Sequence, residues 1–389
     1  MKHILLALTL LLPALPAFAS TVYVESNEPE QNKILMYHLD ANGTLTQTGA
    51  MPTGGKGFVD PTLALGPFDS DQQVIINSAR TLLFAVNSGS NSISVFCILK
   101  DGKLDPVKGS PFESHGINPV SVGLRGDILT VVNKHGDPAQ DADKSLPNYT
   151  NFMVSNGGEL KWIAGSTAEV ASGSSPSQAL TAPMGPFVFG ADFLGGVLQS
   201  FQTSPNGMLM RRSTLGLPAA EFPNAQTPRL PLGLAAHPSR PLLYVGFPTA
   251  SKIGVYEYDR TGQLRFESAT EDSGKVVCWL AVNKAGTRLY ASNTADPSVT
   301  IYDLANPAKP REFQKISLAS MGGAYQIALS PSGHELLVLT QRFKAETPQG
   351  EGNELHVIRL DGMGRGMGEH SAVKLSLPND VRPQGVATL

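Results

Sequence analysis

The sequence predicts an all-β fold, a seven-bladed β-propeller of four-stranded blades, on three observations. First, one paragraph of sequence recurs seven times: an apolar run, a turn, a second apolar run ending in a small or amide residue, a variable loop, a third run and a Gly-bearing turn. The clearest copies are Val74–Gly116, Pro231–Gly274 and Val276–Ser320. A period of roughly 40–55 residues with four strand-like segments is the mark of a propeller blade. Second, Gly 39 and Pro 29 punctuate the whole chain and no long stretch keeps a helical period. Third, the two ends complement each other. Thr21–Val24 reads as a second strand lacking a first, and Arg382–Leu389 reads as a first strand with nothing after it. Joined, they complete one blade and remove two open sheet edges.

Taken in chain order, the elements fit this scheme, with strands A to D running from the axis outward. The leader comes first. Met1–His3 carries one Lys, Ile4–Phe18 is apolar, and Ala17-Phe18-Ala19 is an A-x-A cleavage site. Residues 1–19 therefore read as a secretory signal peptide cut after Ala19, leaving 20–389 as a single propeller. Pro13 and Pro16 make the leader a poor membrane span, and Ser20 rather than Cys follows the cut, so no lipid anchor is expected. The mature chain is expected to be periplasmic or secreted, without a later membrane span.

Strand B follows as Leu82–Val86, Ile128–Val132, Phe187–Ala191, Leu242–Gly246, Leu289–Ser292 and Glu335–Leu339. Strand C follows as Ile93–Leu99, Gly196–Phe201, Ile253–Tyr258, Val299–Leu304 and Leu355–Leu360. Strand A with its turn is plain in Leu234–Ser239, Leu280–Gly286 and Ile327–Gly333. These runs are apolar on both faces, as sheets covered on both sides require. Cys97 and Cys278 fall in blades two and six, across the ring from one another, far beyond the roughly 7 Å Cα limit for a bridge. Two buried, unpaired thiols are expected.

The connections are unequal. A–B and C–D turns are tight, whereas Lys56–Gln72, Lys134–Asn148, Leu217–Leu230 and Gln341–Asn353, all B–C or D–A connections, are long. In an up-and-down blade these emerge on one face, so a site is expected there, around the channel mouth. A net charge of -3 with 16% charged residues gives no footprint for nucleic acid.

Several residues could supply chemistry on that face. Repeat alignment puts Gly385, Gln73, Ser121, Gln178, Gly233, Trp279 and Gln326 at the first inward positions of the A strands. Gln73, Gln178 and Gln326 would offer neutral donors and acceptors to a polar ligand, or hold ordered water. Trp279 would stack on a sugar-like ring or pack the core. His115 could act as a general base at the mouth, or simply be exposed. Arg342 and Arg382 could clamp a carboxylate or phosphate, or form surface ion pairs, with Arg229 a further candidate. The loop Lys134–Asn148 carries His135, Asp137, Asp141 and Asp143, but lacks the Gly and terminal Glu of a calcium loop, so it reads as a solvated acidic loop and no metal is assigned. No G-x-S-x-G, H-E-x-x-H, C-x-x-C or P-loop is present. Asn42 and Asn148 match the glycosylation sequon, a frequent chance match.

The wording "FAVNSGSNSISVF…KDGKL…GSPF" (Phe84–Phe112), "INPVSV" (Ile117–Val122) and "AAHPSRPLLYV…IGVYEYDRTGQL" (Ala235–Leu264) resembles the seven-bladed lactonase propellers, which include 6-phosphogluconolactonase-like and carboxymuconate-cyclising proteins. The resemblance spans essentially the whole mature chain. It implies a His entering strand A of blade four, an Arg-His pair entering strand A of blade five, and a Glu after the next strand B. This chain has Ser177, Leu232-Gly233 and Pro248 at those places. Opening a lactone needs a positioned base and an oxyanion stabiliser. The reading placed first is thus a monomeric, cofactor-free exported propeller that binds a small polar ligand or a protein on its loop-rich face. The alternative is a lactone hydrolase or isomerase with a rearranged site drawn from His115, Arg342, Arg382 and Lys134–Asn148. Binding of a redox cofactor, as in exported quinoprotein propellers, is disfavoured by the lack of adjacent cysteines and of a metal-ligand set.

Overall fold

Seven antiparallel sheets follow one another around a closed ring in the computed structural model, which describes residues 20–59, 70–134, 146–218, 221, 230–342 and 344–389. The expected leader, His135, Asp137, Asp141, Asp143 and Arg229 lie outside the described residues. Blade one takes its innermost strand, Gln384–Thr388, from the carboxyl end and Ser20–Glu25, Lys33–Leu39 and Leu45–Pro52 from the amino end. The two ends pair Val22 with Thr388, Tyr23 with Ala387 and Val24 with Val386. The closure expected from the termini is present.

Blades four to seven are regular four-stranded meanders. Their A strands are Leu180–Thr181, Leu234–Ala236, Val277–Val282 and Gly323–Leu329. Their B strands are Phe187–Asp192, Leu242–Phe247, Arg288–Asn293 and Glu335–Gln341. Blades two and three, which begin with A strands Val74–Ile76 and Pro119–Arg125, depart from the simple count. Their outermost strand is broken into two short pieces on one partner, Leu104–Pro106 with Phe112–Glu113, and Leu160–Trp162 with Ala168–Glu169. In blade two, Pro106 and Pro111 flank the break and supply no N–H to the ladder.

The strands bury both faces because each sheet lies between two others. Along strand B of blade one, Val22 and Val24 turn toward Leu337, Leu339, Leu355 and Val357 of blade seven, while Tyr23 between them turns toward Leu83, Ala85 and Phe96 of blade two. The same division repeats around the ring, giving a separate apolar core at each of the seven blade interfaces. Cys97 and Cys278 form no disulfide. Cys278 is buried, but Cys97 is partly exposed because it sits late in strand C, near the rim of blade two.

The amide that ends strand B has a structural use. Asn293 Nδ2 donates to Ser298 Oγ and Thr300 Oγ1 of strand C, and Asn87 Nδ2 donates to Ser92 Oγ and Ser94 Oγ at the same places in blade two. A Cβ on Gly274 or Gly55 would lie 2.1 or 2.4 Å from the side chain of Asn293 or Asn87, so the D–A connection passes directly over the amide. Each such Asn staples strand C and the incoming connection to strand B. The B–C and D–A connections meet on one face, as expected: Gly57 N donates to Glu28 O, Gly89 N to Lys56 O, and Asn27 Nδ2 to both Phe58 O and Arg382 O. No described helix is long and apolar enough to cross a membrane.

Candidate functional site

Several A strands carry a β-bulge where they meet the loop-rich face: between Val24 and Glu25 opposite Val386 and Gln384, between Val132 and Asn133, between Val277 and Leu280, and between Ala324 and Ile327. A bulge adds a residue and re-aims its neighbours. Here Gly385, Trp279 and Gln326 fall within the shifts, and Ser121 stands beside one.

The hub they surround holds a piece of the chain itself. Ser70–Gln72, the end of the connection from blade one to blade two, lies among four blades. Ser70 O accepts from Gln73 Nε2 and Gln326 Nε2, both at 2.7 Å. Asp71 N donates to Ser177 O at 3.3 Å and Gln72 O accepts from Val122 N at 3.0 Å. Gln178 Nε2 donates to Gln72 Oε1 at 2.9 Å and Leu234 O at 3.2 Å, while its Oε1 accepts from Leu234 N at 2.8 Å. The three glutamines singled out in the sequence are therefore brought together, and their donors go to the backbone of Ser70, the side chain of Gln72 and a neighbouring blade. Gln72 takes a left-handed backbone, φ 62°, to make the turn. The bonds on either side of it hold that unfavourable conformation.

The other candidates are not brought together. Trp279 is 0% exposed, packed with Leu232, Cys278, Tyr325, Phe193 and Val276, so its ring is covered by protein. Gly233 is there because a Cβ would fall 2.2 Å from Cys278 O and 2.8 Å from Trp279 Cα. His115 does not sit at the channel mouth. Its ring stacks on Trp162, centroids 4.3 Å apart, in the outermost strand of blade three. Arg342 spends its guanidinium on carbonyls, Nη1 to Asn379 O at 3.0 Å and Nη2 to Thr347 O at 2.6 Å, and so ties the blade-seven B–C loop to the last D–A connection. Arg382 is partly buried just before the closing strand, its carbonyl bonded by Asn27. Ser177, at the position where the resembling family has a His, gives its hydroxyl to Ala191 O and Leu232 O. Among the described residues no set of three or more His, Cys, Asp or Glu is arranged to hold a metal.

Two carboxyls escaped the sequence reading. Asp71 lies in the hub, partly exposed. Burial pushes its carboxyl up to about 7, against a weaker opposing bond from Gln72 N. Its signal in the sequence is an acid directly before a strand A that lines the axis. Glu25, fully buried at the end of strand B of blade one, is raised well above the carboxylate range by burial, with Asn32 Nδ2 at 2.8 Å the opposing bond. Farther out, His356 lies between Glu369 Oε1 at 2.7 Å and Glu354 Oε2 at 3.4 Å, with Ser320 Oγ on Glu354.

A cleft of about 1140 Å3 opens on the opposite, tight-turn face, between blades two, three and four. Gln72 closes its inner end, and Ile75, Ile76 and Leu124 line it with Pro183, Pro186 and Pro205.

No family model and no curated protein matches the chain. Solved structures do match over nearly its whole length. A Lactobacillus plantarum protein has a TM-score of 0.70 at 15% identity, covering 96% of this chain and 100% of its own. A provisional 6-phosphogluconolactonase from Bacteroides uniformis has 0.70 at 15%, covering 95% and 99%. A periplasmic gluconolactonase from Pseudomonas aeruginosa has 0.69 at 17%, covering 94% and 99%. These likenesses establish the seven-bladed fold.

Proposed function

We propose that the chain is an exported propeller that binds a small polar ligand or a protein on its loop-rich face, and that it does not turn over lactones. The observation that supports this reading most is the state of the positions a lactonase would use. Ser177 gives its hydroxyl to two carbonyls, Gly233 and Pro248 carry no acid or base, and Arg342 is engaged by backbone carbonyls. A base and an oxyanion donor converging on one point are missing from this set. Export is supported by the leader of the sequence and by likeness to a periplasmic gluconolactonase.

A second reading is favoured by Asp71. A carboxyl pushed up to about 7 and partly exposed in the hub suits proton transfer at neutral pH. Under that reading the chain hydrolyses a sugar lactone with Asp71 as general base. Two measurements separate the readings. A panel of sugar and aliphatic lactones is followed by proton release, and gluconate binding is followed by calorimetry. Flat lactone traces with one-site gluconate binding, or with a specific protein partner captured by the loop-rich face, support the first reading. Turnover abolished by Asp71→Asn supports the second and overturns the first.

A further inference from the structure

The cleft on the tight-turn face is walled by turns as well as by strands. Strand A of blade four is only two residues long, Leu180–Thr181, and the turn after it runs Ala182-Pro183-Met184-Gly185-Pro186. Ala182 N closes that turn on Phe187 O at 2.9 Å, Thr181 Oγ1 donates to Leu124 O of blade three at 3.3 Å, and Pro183 and Pro186 line the cleft beside this contact. Pro205, in the C–D turn of blade four, forms the outer end. The walls are therefore stiff and set before any ligand arrives, which lowers the cost of binding.

The lining combines apolar residues of the inner strands with polar residues of the turns. Ile75, Ile76 and Leu124 are partly exposed to the cleft along the A strands of blades two and three. At the inner end stands Gln72. Its Oε1 is taken by Gln178, while no bond from its Nε2 is found among the described residues. Nearer solvent, Gln202 Oε1 accepts from Arg212 Nε, and Ser204 Oγ is engaged by Asn206 and Met208. The rim carries one exposed cation, Arg125, and one exposed carboxylate, Asp127, two residues apart. Among the described residues the donor left for a ligand is thus Gln72 Nε2, at the inner end beside the apolar strand residues, and it belongs to a residue held at φ 62° by the plug.

We infer that this cleft is a second small-molecule site, separate from the loop-rich face, for a ligand with an apolar body and one hydrogen-bond-accepting head, such as a medium-chain carboxylate. The body lies against Ile75, Ile76 and the prolines. The head accepts from Gln72 Nε2, which an ammonium head, having no acceptor, cannot do; Arg125 and Asp127 at the entrance offset one another.

The test uses octanoate and octylamine as probes on the whole mature protein, by calorimetry. Octanoate is expected to bind at one site per chain and octylamine at least tenfold more weakly. Gln72→Glu keeps the acceptor that Gln178 uses but replaces the deep donor by an acceptor, and should weaken octanoate at least tenfold. Ile76→Trp fills the slot and should abolish binding. Thermal unfolding identifies a variant that has lost the fold, and Leu124→Trp then takes its place as the filling variant. Octanoate that fails to bind, or binds equally to parent, Gln72→Glu and the filled variant, overturns the proposal. Gluconate binding unchanged in Ile76→Trp keeps this site distinct from the loop-rich one.

Discussion

Removing the closing strand should unfold the ring. The perturbation is a chain ending at Pro383. It deletes Gln384–Leu389, and with them the pairing of Val22, Tyr23 and Val24 to Thr388, Ala387 and Val386. It also deletes the bonds from Leu389 N to Thr21 O and from Thr388 Oγ1 to Leu329 O. Val386, 9% exposed, fills the core between blades one and seven, and Ala387, 8% exposed, the core between one and two. Burying the valine contributes about 2 kcal/mol. The lost hydrogen bonds contribute about 1 kcal/mol each. The sum is about 6 kcal/mol, comparable to the whole margin of about 5–15 kcal/mol by which domains are stable. Strand B of blade one would also become an open edge carrying Val22, Tyr23 and Val24. Urea unfolding followed by tryptophan fluorescence and circular dichroism is the assay. The truncated chain is expected to be aggregated or non-cooperative, while Val386→Ala unfolds cooperatively about 2 kcal/mol below the parent. A truncated chain that melts cooperatively at the parent's midpoint would refute closure by the two ends.

Three more outcomes follow from particular contacts. Asn293→Ala should cost about 2 kcal/mol in urea unfolding, because it removes donors to Ser298 and Thr300, whereas a substitution at exposed Lys284 should cost about nothing. Gly233→Ala should cost about 3 kcal/mol, since its Cβ would meet Cys278 O, a backbone atom that cannot step aside. The His356 cluster should give stability a ceiling in pH. Burial lowers the imidazole's pKa, but bonds to Glu354 and Glu369 outweigh it and the net shift is upward. Burial raises the two glutamates, and their bonds to His356, Ser320 and Ala319 outweigh it, so both end lower. The histidine's contribution is complete below its unfolded value, near 6.5, and is lost as pH rises through the higher folded value. The glutamates' contribution is present above about 4.5 and is lost as pH falls through their lower folded values. His356→Gln should flatten the alkaline limb of unfolding free energy against pH, and an unchanged limb would remove the cluster from the account.

The ring was legible because a repeat reports architecture through many weak signals that agree: both-face apolar strands, Gly turns and complementary ends. The amide closing strand B was visible too, although its work as a staple shows only when Gly274 and Gly55 are seen crossing it. What escaped the sequence depends on where long connections come to rest. Nothing local in Lys56–Gln72 says that its last residues enter the hub and absorb the donors of Gln178 and Gln326. Nothing around His115 says that it folds outward onto Trp162, 47 residues later. Arg342 has the composition of an anion clamp, and only tertiary contact assigns it to Asn379 and Thr347 carbonyls. The cleft was not legible either, because Ile75, Leu124 and Pro183 come from three different blades and their meeting is a property of neighbours. The described cleft thus lies on the face with the shorter loops.

The most direct test of the account is proton release from glucono-δ-lactone, with and without the purified mature protein, at pH 6 to 8. The account predicts a rate equal to spontaneous hydrolysis throughout that range, for the parent and for Asp71→Asn alike, with gluconate still bound in calorimetry. A parent rate above the spontaneous one that rises through pH 7 and disappears in Asp71→Asn would contradict it.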